Sequence, residues 1–129
     1  MKTTMAQQKA EAELTAFGLS LPETSIGPGW ATTRVLKVRS RMFFVFGDRN
    51  EQPNELTIIV KLPISAGMVQ DLYFVRESKG WFKQHDWVIA HFDAEDDVLT
   101  ELPTLKGWMT QSYCAMASKK LAKLVRGET

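Results

Sequence analysis

Hydrophobic and polar residues alternate along the middle of the chain, and this pattern predicts strands. Successive side chains of a strand point to opposite faces of a sheet, so a period of two is typical of a half-buried strand. The pattern predicts a hairpin of residues 33–38 and 42–46 with a tight turn at Arg39 and Ser40, then a third strand over 56–61. Shorter apolar runs are further strand candidates, at 74–77, 81–83 and 87–92.

Helical spacing of apolar residues appears at both ends of the chain. A first helix is predicted over residues 4–19, a short one over 64–72 after Pro63, and a long one over 105–125 that follows an interruption at Pro103. The first half of the long helix carries an apolar stripe: Leu105, Trp108, Met109, Ser112 and Met116. One turn later the same angular sector is basic: Lys119, Lys120, Lys123 and Arg126.

The order of these elements predicts an α+β fold. Hairpin connections favour a twisted antiparallel sheet, and we expect the N- and C-terminal helices to pack on one of its faces. Residues 22–29, rich in Pro, Gly and Ser, are predicted to form a loop. A length of 129 residues without a linker indicates a single domain, residues 1–129.

Composition places few limits on function. A net charge of +1, with 44% hydrophobic and 24% charged residues, is typical of a globular domain and creates no overall field toward nucleic acid or membrane. No signal peptide or membrane-spanning apolar segment is visible, and the single Cys114 has no partner for an internal disulfide. We therefore expect a cytoplasmic protein, most simply a monomer, that makes no membrane contact.

Short segments across nearly the whole chain resemble one known family. These segments are Ala16-Phe17-Gly18-Leu19-Ser20-Leu21-Pro22-Glu23, Trp30, Val38-Arg39-Ser40-Arg41-Met42-Phe43, Val60-Lys61-Leu62-Pro63, Trp87-Val88, and Ser112-Tyr113 with Lys119-Lys120. Their order and spacing are similar to those of the MmcQ/YjbR-like proteins, whose fold resembles that of frataxin, the CyaY-like α-β-α arrangement. Many members carry a His-x-Asn-Lys run before the late Trp, where this chain has Trp81-Phe82-Lys83-Gln84, so no role of that His or Asn is carried over.

The resemblance implies a non-enzymatic, DNA-binding protein, because the family commonly carries that label and has no agreed activity. Binding nucleic acid requires cations for the phosphates and, for single strands, aromatic faces on which bases stack. The residues of this chain that fit are Arg39, Arg41, Lys83, Lys119, Lys120, Lys123 and Trp81. These cations have another explanation, since sheet cations keep a face hydrated and cations late in a helix complement its dipole. If they do bind nucleic acid, we expect them to converge on one exposed surface.

An aromatic pocket is the alternative functional hypothesis. Trp30, Tyr113 and Ser112 would line a small site for a ligand or a peptide, in the region where the 22–29 loop meets the sheet. The competing structural explanation is that both hydroxyls are buried and form hydrogen bonds to residues 27–29 or to the sheet.

Metal binding and catalysis have weaker support. Asp97 and Glu101, four residues apart in an acidic run, would share a cation on one helix face, but acids at a helix start also cap free N–H groups. His85 and His91 would lie roughly 20 Å apart on a straight strand, too far for one metal. Cys114 is placed in mid-helix, and the chain has no G-x-S-x-G, glycine-rich phosphate loop or H-E-x-x-H motif. We predict no catalytic residue, no metal site and no cofactor.

Overall fold

The computed structural model describes residues 5–29, 33–47, 55–78 and 80–127 of the chain. Its helices are α1 (Met5–Leu19), α2 (Gly80–Gln84), α3 (Leu102–Met116) and α4 (Lys119–Arg126), with a 3₁₀ turn at Val98–Glu101. Its strands are β1 (Thr24–Pro28), β2 (Arg34–Val38), β3 (Arg41–Phe46), β4 (Leu56–Lys61), β5 (Val75–Arg76) and β6 (Trp87–Phe92). The predicted α+β class is therefore confirmed.

The described strands form one sheet in the order β1-β2-β3-β4-β6-β5, and every neighbouring pair is antiparallel. The strands predicted over 33–38, 42–46, 56–61 and 87–92 are confirmed to within one residue. The predicted turn at Arg39 and Ser40 joins β2 to β3, with Arg39 in the left-handed region at φ 55°. Because the strands alternate in direction, this turn and the starts of β3 and β6 lie at the same end of the sheet.

One face of the sheet packs against α1, α3 and α4 and carries the main core. Alternate strand residues and the inner sides of the helices meet in one buried cluster, which includes Leu14, Leu36, Phe44, Ile58, Val60, Val88, Leu105, Met109 and Leu121. Full burial of one such side chain contributes about 1.5–3 kcal/mol. The opposite face, called the open face below, holds a smaller cluster of Val35, Val45, Ile59 and Trp87, against which Phe82 of α2 packs.

A β-bulge interrupts the regular pairing of β3 with β2 near the hairpin. Leu36 pairs with Phe44 whereas Lys37 pairs with Met42, so Phe43 is an extra residue on β3. The β3–β4 pairing begins at Phe44, and beyond it the hydroxyl of Ser112 in α3 joins the two strands. This hydroxyl donates to the Phe43 carbonyl and accepts the Lys61 N–H at 3.2 Å.

Three sequence predictions before α2 are wrong or incomplete. The predicted loop at 22–29 contains β1, an edge strand that tolerates Pro28 because the sheet does not need its missing N–H. Residues 64–72 form a series of turns in place of a helix, since Gly67 in their middle disfavours a regular helix. The strand predicted over 74–77 is reduced to the two residues of β5.

The strand predicted over 81–83 is also wrong, because these residues belong to α2. Trp and Phe favour strands in general, but local propensity yields here to packing against the open face. Gly80, at φ 59°, starts the helix, and Asp86, at φ 63°, turns the chain into β6. The result places two aromatic side chains of α2 over Trp87.

The single long helix predicted over 105–125 is wrong. Pro103 lies in the first turn of α3 and does not interrupt it, and the helix ends at Met116. Ala117 is extended, and Ser118 then caps α4 by accepting the Leu121 N–H at 3.2 Å. The predicted stripe is buried from Leu105 to Ser112. The lysines do not continue it, because α4 is a separate helix that buries its own Leu121 and Ala122.

Candidate nucleic-acid interface

Two arginines stand at the turn between β2 and β3. Arg39 is exposed, and its guanidinium forms a two-pronged ion pair with Glu23, with Nε–Oε1 at 2.8 Å and Nη2–Oε2 at 3.1 Å. The hydrogen bond from Arg39 lowers the pKa of the Glu23 carboxyl, and the same bond raises the pKa of Arg39. The charge of Lys120 lowers the pKa of Glu23 further, so Lys120 also lies within electrostatic reach of this pair.

The turn faces the junction between α3 and α4 across a cavity of about 210 Å³. The cavity is lined by Val38, Arg39, Ser40, Arg41, Met116, Ala117 and Ser118. The next two residues, Lys119 and Lys120, are exposed in the first turn of α4. We call the set Arg39, Arg41, Ser118, Lys119 and Lys120 the basic rim. It brings four predicted cations together from segments that are distant in sequence.

Lys123 extends the basic rim along α4. At 100° per residue, Lys119, Lys120 and Lys123 fall within one arc of about 100°. All three are exposed, opposite the buried Leu121 and Ala122. The last helix therefore offers one hydrated, basic side.

Lys83 lies elsewhere. It lines a separate cavity of about 380 Å³ together with Glu77 and Asp86, and this cavity has no lining residue in common with that of the basic rim. Two carboxylates against one ammonium make the surroundings of Lys83 unfavourable for a phosphate. The predicted cations therefore do not all share one surface.

Trp81 lies on α2 with 55% of its surface exposed. Its ring packs on His85 at 4.7 Å between centroids and on Trp87 at 6.2 Å, and Phe82 meets it edge-on at 5.4 Å. The indole is thus held by other rings while part of it faces solvent. Sequence reasoning identified Trp81 but missed the support from His85.

The predicted aromatic pocket is not formed by Ser112 and Tyr113, because both side chains are fully buried in the core. Ser112 bonds to the sheet, as its structural explanation predicted, whereas Tyr113 donates to the Pro22 carbonyl at 2.7 Å and not to residues 27–29. Burial raises the pKa of Tyr113. Trp30 lies outside the described residues.

The acidic run has local structural roles. Asp97 accepts both the N–H and the hydroxyl of Thr100, the latter at 2.6 Å, and so caps the 3₁₀ turn. Asp96 accepts the Asp93 N–H at 2.8 Å. Within residues 5–29, 33–47, 55–78 and 80–127, no three His, Cys, Asp or Glu side chains gather closely enough to hold a metal ion.

Two residues of the basic rim region escaped sequence reasoning. Glu23 is sixteen positions from Arg39, and nothing in its local sequence marks the pairing. Ser118 did carry a signal, because Ser is a preferred N-cap and two lysines and a leucine follow it. That signal was hidden because the helical spacing of residues 105–125 predicts one continuous helix through Ser118.

None of the helices in the described part of the chain has the length and apolar character required to cross a bilayer.

The described fold is of the class that the resemblance to MmcQ/YjbR-like proteins implies. Unrelated functions share single folds, so the class identifies neither a family nor an activity. Membership of that family therefore stays a prediction. When the chain was compared with known proteins, no family model matched it, and no curated protein did either.

Proposed function

We propose that this protein binds nucleic acid, without acting on it as an enzyme, through phosphate contacts at the basic rim. The observation that carries the proposal is the cavity where Arg39 and Arg41 face Ser118 at the start of α4. A phosphate in this cavity would meet two arginines on the hairpin side and the start of α4 on the other, where Lys119 and Lys120 follow Ser118.

The chemistry of the basic rim suits a phosphate group. An arginine guanidinium presents a planar fork of donors that matches two phosphate oxygens. The first turn of a helix adds backbone N–H groups and the positive end of the dipole. Ser118 uses its side chain to satisfy the Leu121 N–H, which leaves the other early N–H groups of α4 for an anion.

Glu23 opposes this function in part. It is one carboxylate among four cationic side chains, and it holds Arg39 in an exposed ion pair. An exposed pair of this kind is weak because water and salt screen it. A phosphate therefore competes with Glu23 for Arg39 at little cost.

The proposal includes a monomer in a reducing, cytoplasmic compartment. The single Cys114 is half-buried, with its Sγ 3.9 Å from the Ala122 carbonyl. This thiol fills space between α3 and α4, a packing role that requires no oxidation.

Fluorescence anisotropy with a labelled oligonucleotide tests the proposal. We expect salt-sensitive binding that is measurable at low salt and weakens as salt is raised. Arg41→Gln should weaken binding and reduce the slope of log K against log salt by about one, the amount expected for one lost phosphate contact.

Lys9→Gln is the matched control, because it removes one exposed charge from α1 and leaves the basic rim intact. Equal effects of Arg41→Gln and Lys9→Gln would mean that binding follows net charge, and the basic rim would lose its role. Absence of binding to any oligonucleotide at low salt would end the nucleic-acid proposal itself.

A further inference from the structure

The open face carries a row of cations that leads from the hairpin to the exposed indole. Lys37 on β2 pairs with Met42, and Lys61 on β4 pairs with Trp87. Lys37 lies two residues after Val35, and Lys61 lies two residues after Ile59. Val35 and Ile59 belong to the open-face cluster, so both lysine side chains project from this face. Lys37 and Lys61 are two strands apart, about 10 Å at the usual spacing.

Lys61 also contacts the segment that supports Trp81. Its Nζ donates to the His85 carbonyl at 2.7 Å, and the His85 ring packs on the indole of Trp81. An ammonium group has three donors, so this bond leaves Lys61 able to bind a second acceptor. A positive charge is therefore held near an aromatic surface. A nucleotide offers the complementary pair of groups, a negative phosphate and an aromatic base.

We propose that Trp81 stacks against an unpaired base and that Lys61 and Lys37 contact the adjoining phosphates, so the preferred ligand is a single strand. This inference rests on the proposed function and names its substrate class. Bases inside a duplex already stack on one another and offer no free face, whereas a single strand presents its bases to exposed aromatic rings.

The position of Trp81 connects it to the basic rim. The starts of β3 and β6 lie at the same end of the sheet, with only β4 between them. Two strand spacings separate Arg41 from the start of β6, about 10 Å along the sheet end. The basic rim borders the helix-packed face and Trp81 lies on the open face, so a strand that contacts both passes around this end of the sheet.

The test compares three ligands of equal length: an oligothymidylate, the same backbone without bases, and a duplex. We expect the oligothymidylate to bind most tightly. Trp81→Ala should weaken its binding about tenfold or more and leave the abasic chain unaffected. Trp81→Phe should retain much of the preference because it keeps an aromatic ring.

Tyr73→Ala is the matched control. Tyr73 is 57% exposed, similar to Trp81, but four carboxylates lie near enough to raise its pKa further, after the larger effect of burial. We expect no change in affinity from its removal. Far-UV circular dichroism confirms that each variant is folded, which is expected because both side chains are largely exposed.

The outcomes separate this inference from the proposed function. Equal affinity for all three ligands would overturn the single-strand preference while leaving the basic rim in place. An unchanged preference in Trp81→Ala would overturn the stacking role. Binding of none of the three would remove both proposals together.

Discussion

Replacement of Ser112 by alanine tests whether this residue links the sheet or contacts a ligand. Its hydroxyl donates to the Phe43 carbonyl and accepts the Lys61 N–H, at the point where β3 and β4 separate. Alanine removes both hydrogen bonds at once. Because the side chain is fully buried, bulk water does not replace the hydroxyl. We therefore expect the variant to lose stability.

The size of the loss follows from the two backbone groups. A buried carbonyl that loses its partner costs about 1–3 kcal/mol, and Phe43 is fully buried. Lys61 is half-buried, so its N–H adds less. Alanine regains up to about 0.5 kcal/mol through its higher helix propensity. We expect the free energy of unfolding to fall by about 2 kcal/mol, which lowers Tm by roughly 6–12 °C.

Urea denaturation followed by tryptophan fluorescence measures this change, and a thermal melt checks it. Thr110→Ala is the control on the same helix. The Thr110 hydroxyl donates to the Lys106 carbonyl at 3.0 Å, an oxygen that also accepts a backbone bond within α3. Its removal should change the free energy of unfolding by less than about 0.5 kcal/mol.

Two results would refute this reasoning about Ser112. A variant as stable as the wild type would mean that the two strands do not depend on the hydroxyl. A loss of ligand affinity at unchanged stability would assign Ser112 to a binding site, as the aromatic-pocket hypothesis requires.

Two further predictions concern titratable groups. Glu23→Gln removes the carboxylate that competes for Arg39, so nucleic acid should bind more tightly and with a steeper salt dependence in anisotropy. The control Glu13→Gln on α1 should change affinity less, and equal effects of the two variants would contradict the competition. Burial raises the pKa of Tyr113 above 10.0, so its contribution to stability is complete below that pH and is lost as pH rises through the raised value. In an absorbance titration, tyrosinate from Tyr113 should appear only together with alkaline unfolding, and its ionisation in the still-folded protein would contradict this.

The strands that the sequence predicts well are those whose residue types favour a buried sheet. β2, β4 and β6 consist mostly of branched or aromatic residues that fit a buried sheet. β1 has two such residues, Thr24 and Ile26, but its Gly27 and Pro28 are typical of a loop. Its strand conformation is imposed by pairing with β2, which no local pattern reports.

α2 shows the opposite error. Trp81 and Phe82 favour a strand, and a period of two fits any run as short as this one. The helix is selected over the strand by Trp87, six residues after Trp81, because the Trp87 ring on the open face packs against Trp81 and Phe82. A contact between segments therefore decides both the secondary structure and the exposure of Trp81, the property on which its proposed function depends.

The candidate site was predictable in its residue types but not in its geometry. Cations at the hairpin and in the last helix are visible in the sequence, whereas their meeting depends on the break at Ala117 and Ser118. In one continuous helix Lys123 would lie about 10 Å beyond Met116 along the axis of α3, at a rise of 1.5 Å per residue. The break turns the chain instead, so that α4 begins at the cavity beside Arg41. The irregularity that made the helix prediction fail is thus the same feature that assembles the basic rim.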